Sequence, residues 1–295
     1  MDANFQCCRL RVLSEAADPG LVHGFQYFAP IKKLHDFLGK YGKEVIQDIN
    51  TCHNHSTLHL ASMHRDPGLA STGIAITECS HHDAKHPAAI VDLQAGERYV
   101  NMDYTLIAVL LCFVPESVLV SYDVMCQYIK NLYHRFESIY SSDWCPMLLA
   151  EKFEGAIPKF HLPAHIEKCG VIFNLNYIPQ AGHTNGEGVE QGFSITNGLA
   201  GSTKVMGPGS RQDTLDNHFG FINWRKCTLY PVQFLIWAKK ASKKWETAVI
   251  AFWDFDQGLQ DSQQKEWRKA VEEWEADNDR LNPYESTVKR TYPVH

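Results

Sequence analysis

Cys8, Leu10 and Val12 alternate with Arg9 and Arg11. This period of two predicts a half-buried strand over residues 3–13, with Asp2 at its head. Ala17-Asp18-Pro19-Gly20 closes it with turn chemistry. Residues 30–65 carry helical pieces, and Leu34, Phe37, Leu38 and Tyr41 are spaced like one apolar face. In residues 72–79, Ile74 and Ile76 alternate with Ala75 and Thr77, the pattern of a second strand; residues 88–93 read as a short third. Residues 97–113 form a strongly apolar predicted helix that stops at Pro115.

Residues 118–127 read Val-Leu-Val-Ser-Tyr-Asp-Val-Met-Cys-Gln. The apolar run suits a strand buried on both faces. Helical spacing then takes over at Met125, Ile129, Leu132, Phe136 and Ile139. Asp123 therefore stands where a buried strand hands over to a helix. That position serves a helix cap, and it is also the edge at which open α/β sheets bind ligands. Further on, Pro158 to Pro163 reads as extended and residues 171–178 as a fifth strand. A glycine-rich polar stretch follows, carrying Glu187, Glu190, Lys204 and Arg211, with Thr184 or Asn185 as the cap of a helix bearing Glu187. From Trp224 to Leu281 the pattern is helical, with Trp267, Val271 and Trp274 on one face.

Three strands, a helix, an acid-tipped strand, a helix, a fifth strand and an acid-bearing helix together resemble the RNase H-like order. The expected fold is thus α/β: a mixed central sheet flanked by helices, with a helical insertion over 27–70 after the first strand. Residues 1–226 would form this core and 227–295 a helical C-terminal extension. In such folds carboxylates from the first strand, the fourth strand and a later helix converge. Phosphoryl transfer is served by two Mg²⁺ ions roughly 3.5–4 Å apart on oxygen ligands. Asp2, Asp123 and Glu187 are of the right type, and Glu190, one helical turn on, could replace or support Glu187. The chain has 34 acidic residues, so chance can also supply such a triplet.

Composition narrows the picture. The chain has 295 residues, 44% of them hydrophobic, enough for a real core and against global disorder. It lacks a run of eighteen apolar residues that could span a membrane, and its first residues show no charged-then-apolar leader, so secretion is not expected. Nine cysteines, odd in number and scattered, read as thiols or metal ligands rather than a disulfide framework. A net charge of −6 argues against a surface coated in basic residues, while leaving room for a local basic channel.

The chain has fifteen histidines, and seven of them cluster between His53 and His86. Cys52, His53 and His55 precede Cys79, His81, His82 and His86, and a zinc site could be built from Cys52, Cys79 and His82. Buried thiols and surface histidines account for the same residues. His161 and His165 sit at i, i+4, but Pro163 interrupts them, so structural roles are expected. Asp103 also reads as structural. Lys204, Arg211, Trp224, Arg225 and Lys226 could track a phosphate backbone; Lys239, Lys240, Lys243 and Lys244 read as a solvated helix face.

Several stretches together resemble the Kyakuja–Dileera–Zisupton (KDZ) transposases, common in fungal genomes. They are Met1 to Phe5, Asp92 to Tyr104, Ser121-Tyr122-Asp123 with Cys126-Gln127, Pro158 to His165, Gly186-Glu187 with Glu190, Met206 to Arg211, Asp213 to Asp216, Asn223 to Lys226, and Asn282 to Glu285. The resemblance implies an RNase H-like core with a DDE-type triad at Asp2, Asp123 and Glu187 or Glu190, with Glu187 favoured. It further implies Mg²⁺ or Mn²⁺, DNA ends and target DNA as partners, self-association and a nuclear location. Water would cut a transposon end and the freed 3′-hydroxyl would attack target DNA. Two departures stand out. Relatives extend further on both sides, so the chain reads as a catalytic-core fragment with half its first strand absent. Cys79-Ser80-His81-His82 also replaces the usual Cys-x-Arg-His. Both predict weak cleavage or none. The alternatives are an inactive remnant kept as a binding protein and a metal-dependent nuclease on the same fold.

Overall fold

The computed structural model describes residues 1–21, 26–46, 52, 66–112, 116–140, 144 and 153–284. It divides into two units, Met1–Lys226 and Cys227–His295. In chain order the first carries β1 (Asp2–Asn4), β2 (Arg9–Leu10), α1 (Ile31–Tyr41), β3 (Leu69–Ser71), β4 (Gly73–Cys79) and β5 (Ala84–Leu93). Then come α2 (Tyr99–Cys112), β6 (Val118–Ser121), α3 (Met125–Tyr128), α4 (Leu132–His134), β7 (Phe153–Ala156), α5 (Cys169–Ile172), α6 (Gly188–Thr196) and α7 (Ala200–Thr203). Helix α8 (Pro208–Asp256) begins in this unit.

The architecture is mixed α/β. β4 lies between β1 and β5, antiparallel to both, with Asp2 opposite Ile76. β6 and β7 form a separate parallel pair. The backbone nitrogen of Met1 donates to Ser121 O at 2.7 Å, which brings the head of β1 to the end of β6. Alternation along β4 sends side chains into two cores. Ala75, with Val91 and Leu93, faces a cluster containing Val100, Leu106 and Ile107 of α2. Ile74, Ile76 and Ile90 face Phe28, Leu215 and Phe219, the last two from α8. Both faces of the three-stranded sheet are therefore covered, and β4 is buried from Gly73 to Glu78.

Several elements depart from the sequence expectation. The strand expected over 3–13 breaks after Asn4, because Asn4 Oδ1 accepts from Gln6 N at 3.0 Å and caps a 3₁₀ turn, Phe5–Cys7. Pro158 to Pro163 is not extended; it forms turns and a 3₁₀ helix, Leu162–Ala164, whose first turn tolerates Pro163. Residues 171–178 are not a strand. They hold the end of α5 and an Asn174 turn, with a single bridge from Asn174 to Ile157. The strand that pairs with β6 is instead β7, whose Phe-Glu-Gly-Ala shows no alternation to read.

Residues 125–139 do not form one α-helix. α3 and α4 are joined by a 3₁₀ turn, Ile129–Asn131, and followed by a π turn, Arg135–Ile139. The wider π turn carries Arg135 inward, where Nε and Nη2 reach Asp103 Oδ2 and Oδ1 at 2.7 and 3.0 Å. Tyr128 and Tyr140 donate to the same carboxylate at 2.6 and 2.5 Å. Asp103 is thus structural: it holds α2 to this segment. In α1, Leu34, Phe37 and Tyr41 are buried and Leu38 partly so. Most of the rest of the region expected to be a helical insertion lies outside the described residues.

In the second unit, residues 227–284 are described. They comprise the remainder of α8, which includes Pro231, and α9 (Asp261–Ala276), started by a reciprocal Gln260–Gln263 capping box. Of the expected aromatic face only Trp274 is well buried, packed edge-on against Tyr284; Trp267 is exposed. Among the described residues no helix is long and apolar enough to cross a membrane.

Candidate metal-binding active site

Asp2 lies on β1, Asp123 two residues past β6, and Glu97 between β5 and α2. One carboxylate oxygen of each lies within 4.8 Å of the others. The Met1–Ser121 bond accounts for the meeting of the first two. Each side chain is held: Asp2 Oδ1 accepts from Ala3 N and Asp123 Oδ1 from Val124 N, both at 2.7 Å. Tyr122 donates its hydroxyl to Glu97 Oε1 at 2.5 Å.

Crowding and burial act together here. Desolvation first, then the charge of Asp123, pushes the Asp2 carboxyl up to about 7. Desolvation, then Asp123 and Asp2, holds Glu97 well above the usual carboxylate range. Three converging oxygen donors that resist sharing negative charge are the donor set a hard divalent cation would neutralise. The residues present fit such an ion.

A second group stands beside the first. His161, Glu187 and Glu190 bring donor atoms within 4.8 Å of one another. His161 Nε2 lies 2.6 Å from Glu190 Oε1, and Phe160 N donates to Glu187 Oε1 at 2.8 Å. Burial lowers the His161 pKa, but the Glu190 bond and the charges of Asp123, Glu190 and Glu187 prevail and raise it. The charge of Glu190 also raises Asp2, so the two groups act on one another.

Three glycines seat this second group. Gly186 has φ +79°, and a Cβ there would lie 2.5 Å from Ser121 Oγ and 3.2 Å from Pro158 Cα. Only glycine permits this approach to the end of β6. One turn apart, Gly188 and Gly192 lay α6 on the β4–β5 hairpin, where a Cβ would run into Asp83 and the Lys85 ammonium respectively. Glu187 occupies the N-cap position of α6 without a side-chain cap bond. Asn185 Oδ1 accepts from Glu187 N at 3.1 Å, while Thr184 Oγ1 accepts from Gly186 N at 3.4 Å.

A family model described as Kyakuja-Dileera-Zisupton transposase matches residues 1–223. The chain belongs to this family. The KDZ match takes in all five acids above and the start of α8. No curated protein and no solved structure matches significantly.

Away from the acids, the cysteines and histidines of this KDZ chain sort differently from the expectation. Cys79 Sγ pairs locally with His82 Nδ1 at 3.2 Å. Cys52 meets Cys126, His165 and Cys169 instead, with one donor atom of each within 4.8 Å of the others. Such a set could hold a metal such as zinc. The Cys169 hydrogen bond, against the desolvation that raises it and with help from His165, holds the Cys126 thiol down to about 4; Cys169 itself is pushed up by that bond. His53 and His55 lie outside the described residues. His165, expected to be structural, joins this cluster, and His161 joins the glutamates.

The basic residues also divide. Arg211 is fully buried: Nη1 donates to Asp92 Oδ1 at 2.7 Å and Nη2 to Cys7 O at 2.6 Å. It has no face for a phosphate, which corrects its expected role on DNA. Lys226 Nζ donates to Asp83 O at 2.6 Å. Lys204, Trp224 and Arg225 are exposed. The residues missed from spacing alone are Glu97, His161 and the Cys126–His165–Cys169 set. Glu97, Cys126, His161 and His165 lie inside stretches of the family resemblance, which was the signal available; Cys169 lies outside them.

Proposed function

We propose that this KDZ chain is the core of a DDE-type DNA transposase, with Asp2, Asp123 and a glutamate at the start of α6 as its acids on an RNase H-like fold. The observation that carries the reading is the convergence of Asp2 and Asp123 from β1 and the end of β6. An antiparallel trio with β4 central, next to a parallel pair reached through the Met1–Ser121 bond, supports the fold assignment. Between the two glutamates, the electrostatics favour Glu190. Its charge bears on Asp2, whereas Glu187 is the one preferred from the resemblance; each has one oxygen engaged, Glu187 by the Phe160 amide and Glu190 by His161.

Mg²⁺ or Mn²⁺ would be held by Asp2, Asp123 and Glu97, with Glu190 alongside. When bound, it supplies Lewis-acid stabilisation of charge developing on phosphate oxygens. The chain's own groups prepare for this. Tyr122 fixes Glu97, the Ala3 and Val124 amides fix Asp2 and Asp123, and Glu190 holds His161 so that a proton on Nε2 stays at the edge of the acid cluster. DNA is the partner, with exposed Lys204, Arg225 and Trp224 available to backbone and bases, and the nucleus is the compartment in which it would be met. The test is nicking and end-joining of DNA in Mn²⁺. Any cleavage by the chain should vanish with Asp123→Asn and with EDTA, and cleavage surviving Asp123→Asn overturns the assignment.

A further inference from the structure

We propose that Cys52, Cys126, His165 and Cys169 hold one structural zinc ion, which ties the chain at Cys52 to the two loops that carry Asp123 and His161. Three thiols and an imidazole converge here from three separate stretches of the sequence, with donor atoms mutually within 4.8 Å. Tetrahedral bonds of about 2.3 Å to sulfur and about 2.0–2.1 Å to nitrogen require donor–donor separations of about 3.5–3.8 Å. The observed His165 Nδ1 distances are 3.4 Å to Cys52 Sγ and 3.5 Å to Cys126 Sγ. The side chains need only small adjustments to close on an ion.

Burial decides the kind of site. Cys52, Cys126, Cys169 and His165 are 1%, 5%, 6% and 8% exposed. Four buried donors complete a tetrahedron and leave no position for water or substrate, the mark of a structural site. Thiolate donors select zinc over the magnesium suited to the carboxylates. A disulfide is a poorer account: it would use two sulfurs and strand the third, and every described cysteine is free. Binding replaces the thiol protons, so up to three protons pass to solvent and the loaded unit carries one negative charge.

The placement links the ion to the acids. Cys126 lies three residues after Asp123, and His165 four residues after His161. An ion gripping both would fix the turn after β6 and the 3₁₀ turn at Leu162–Ala164 relative to each other. The site does not depend on the proposed transposase chemistry, so either can fail alone.

The test is the metal content of the purified 295-residue chain, by plasma mass spectrometry after dialysis. About one zinc per chain is expected, with X-ray absorption showing sulfur neighbours at about 2.3 Å and a nitrogen neighbour at about 2.0–2.1 Å. Cys169→Ser and His165→Ala should lose the zinc, whereas His165→Cys and Asp123→Asn should keep it. Should the loss variants prove insoluble, Co²⁺ loaded into the wild-type chain decides: intense thiolate-to-cobalt charge-transfer bands with tetrahedral ligand-field absorption are expected. Absence of zinc, a cobalt spectrum without thiolate bands, zinc retained by Cys169→Ser or zinc lost with Asp123→Asn each overturns the proposal.

Discussion

The Tyr122 hydroxyl donates to Glu97 Oε1 at 2.5 Å, joining the residue before Asp123 to the acid that completes its cluster. The bond runs from the end of β6 to the loop before α2, and it orients Glu97 toward the other two carboxylates. If Glu97 is a cation ligand, Tyr122 is its orienting partner, and removal of such a partner costs about 10–100-fold in metal affinity. Tyr122→Phe should therefore weaken Mn²⁺ binding by about that factor, and Glu97→Gln by at least as much. Calorimetric titration checks this; unchanged affinity in Glu97→Gln would remove Glu97 from the site.

The acid cluster predicts a pH dependence. In the folded chain Asp2 titrates near 7, against an ordinary value of 3.8. Between these values the folded chain keeps a proton that the unfolded chain has lost, so stability falls as pH rises through that window. Below it Asp2 contributes nothing, and above it the loss is complete. With EDTA present, the wild-type melting temperature should drop more from about pH 4 to about pH 7 than that of Asp2→Asn. Added Mn²⁺ should shrink the difference, because a bound cation favours the ionised carboxylate. Equal slopes in the two proteins would show that Asp2 is not held in this environment.

Asp103 should be the most sensitive structural acid. It is fully buried, pairs with Arg135 through two hydrogen bonds and accepts from two tyrosines. Removing one member of a buried pair leaves the other charge uncompensated, at a cost of about 3–5 kcal/mol. Asp103→Asn should lower unfolding stability by that amount in a denaturant titration. A change below about 1 kcal/mol would show that Arg135 finds another partner.

Arg211 and the exposed cations should separate in a DNA-binding assay. Arg211→Met removes the buried pairing with Asp92 and the bond to Cys7 O, so stability should fall. Lys204→Ala with Arg225→Ala should instead leave melting unchanged and flatten the salt dependence of DNA affinity by about one to two phosphate contacts. An unaltered salt slope would place the DNA elsewhere.

Local periodicity explains what could be read in advance. The α1 face, β4, β5, α2 and β6 all have apolar positions at a spacing their own packing demands, so their locations were legible. β7 was not: Phe153, Gly155 and Ala156 are buried by the pairing with β6, which no local pattern encodes. Residues 125–139 showed helical spacing, yet the pull of Asp103 on Arg135 opens a π turn there. Asp2 and Asp123 stand at the head of one strand and just past another, so a shared edge could be anticipated. Glu97 is in a loop, and its approach depends on the Tyr122 bond. The Cys52 cluster joins residues up to 117 positions apart, a convergence visible only in three dimensions.

The central claim is that Asp2, Asp123 and Glu97 form a divalent-cation site, and Mn²⁺ binding tests it most directly. Electron paramagnetic resonance titration of the zinc-loaded chain should show Mn²⁺ leaving the free pool in the wild type. Asp123→Asn, matched for folding by circular dichroism, should lose that binding by at least about tenfold, since one charged oxygen ligand of a hard cation is removed. Equal Mn²⁺ binding by the wild type and Asp123→Asn, or none by either, would contradict the account.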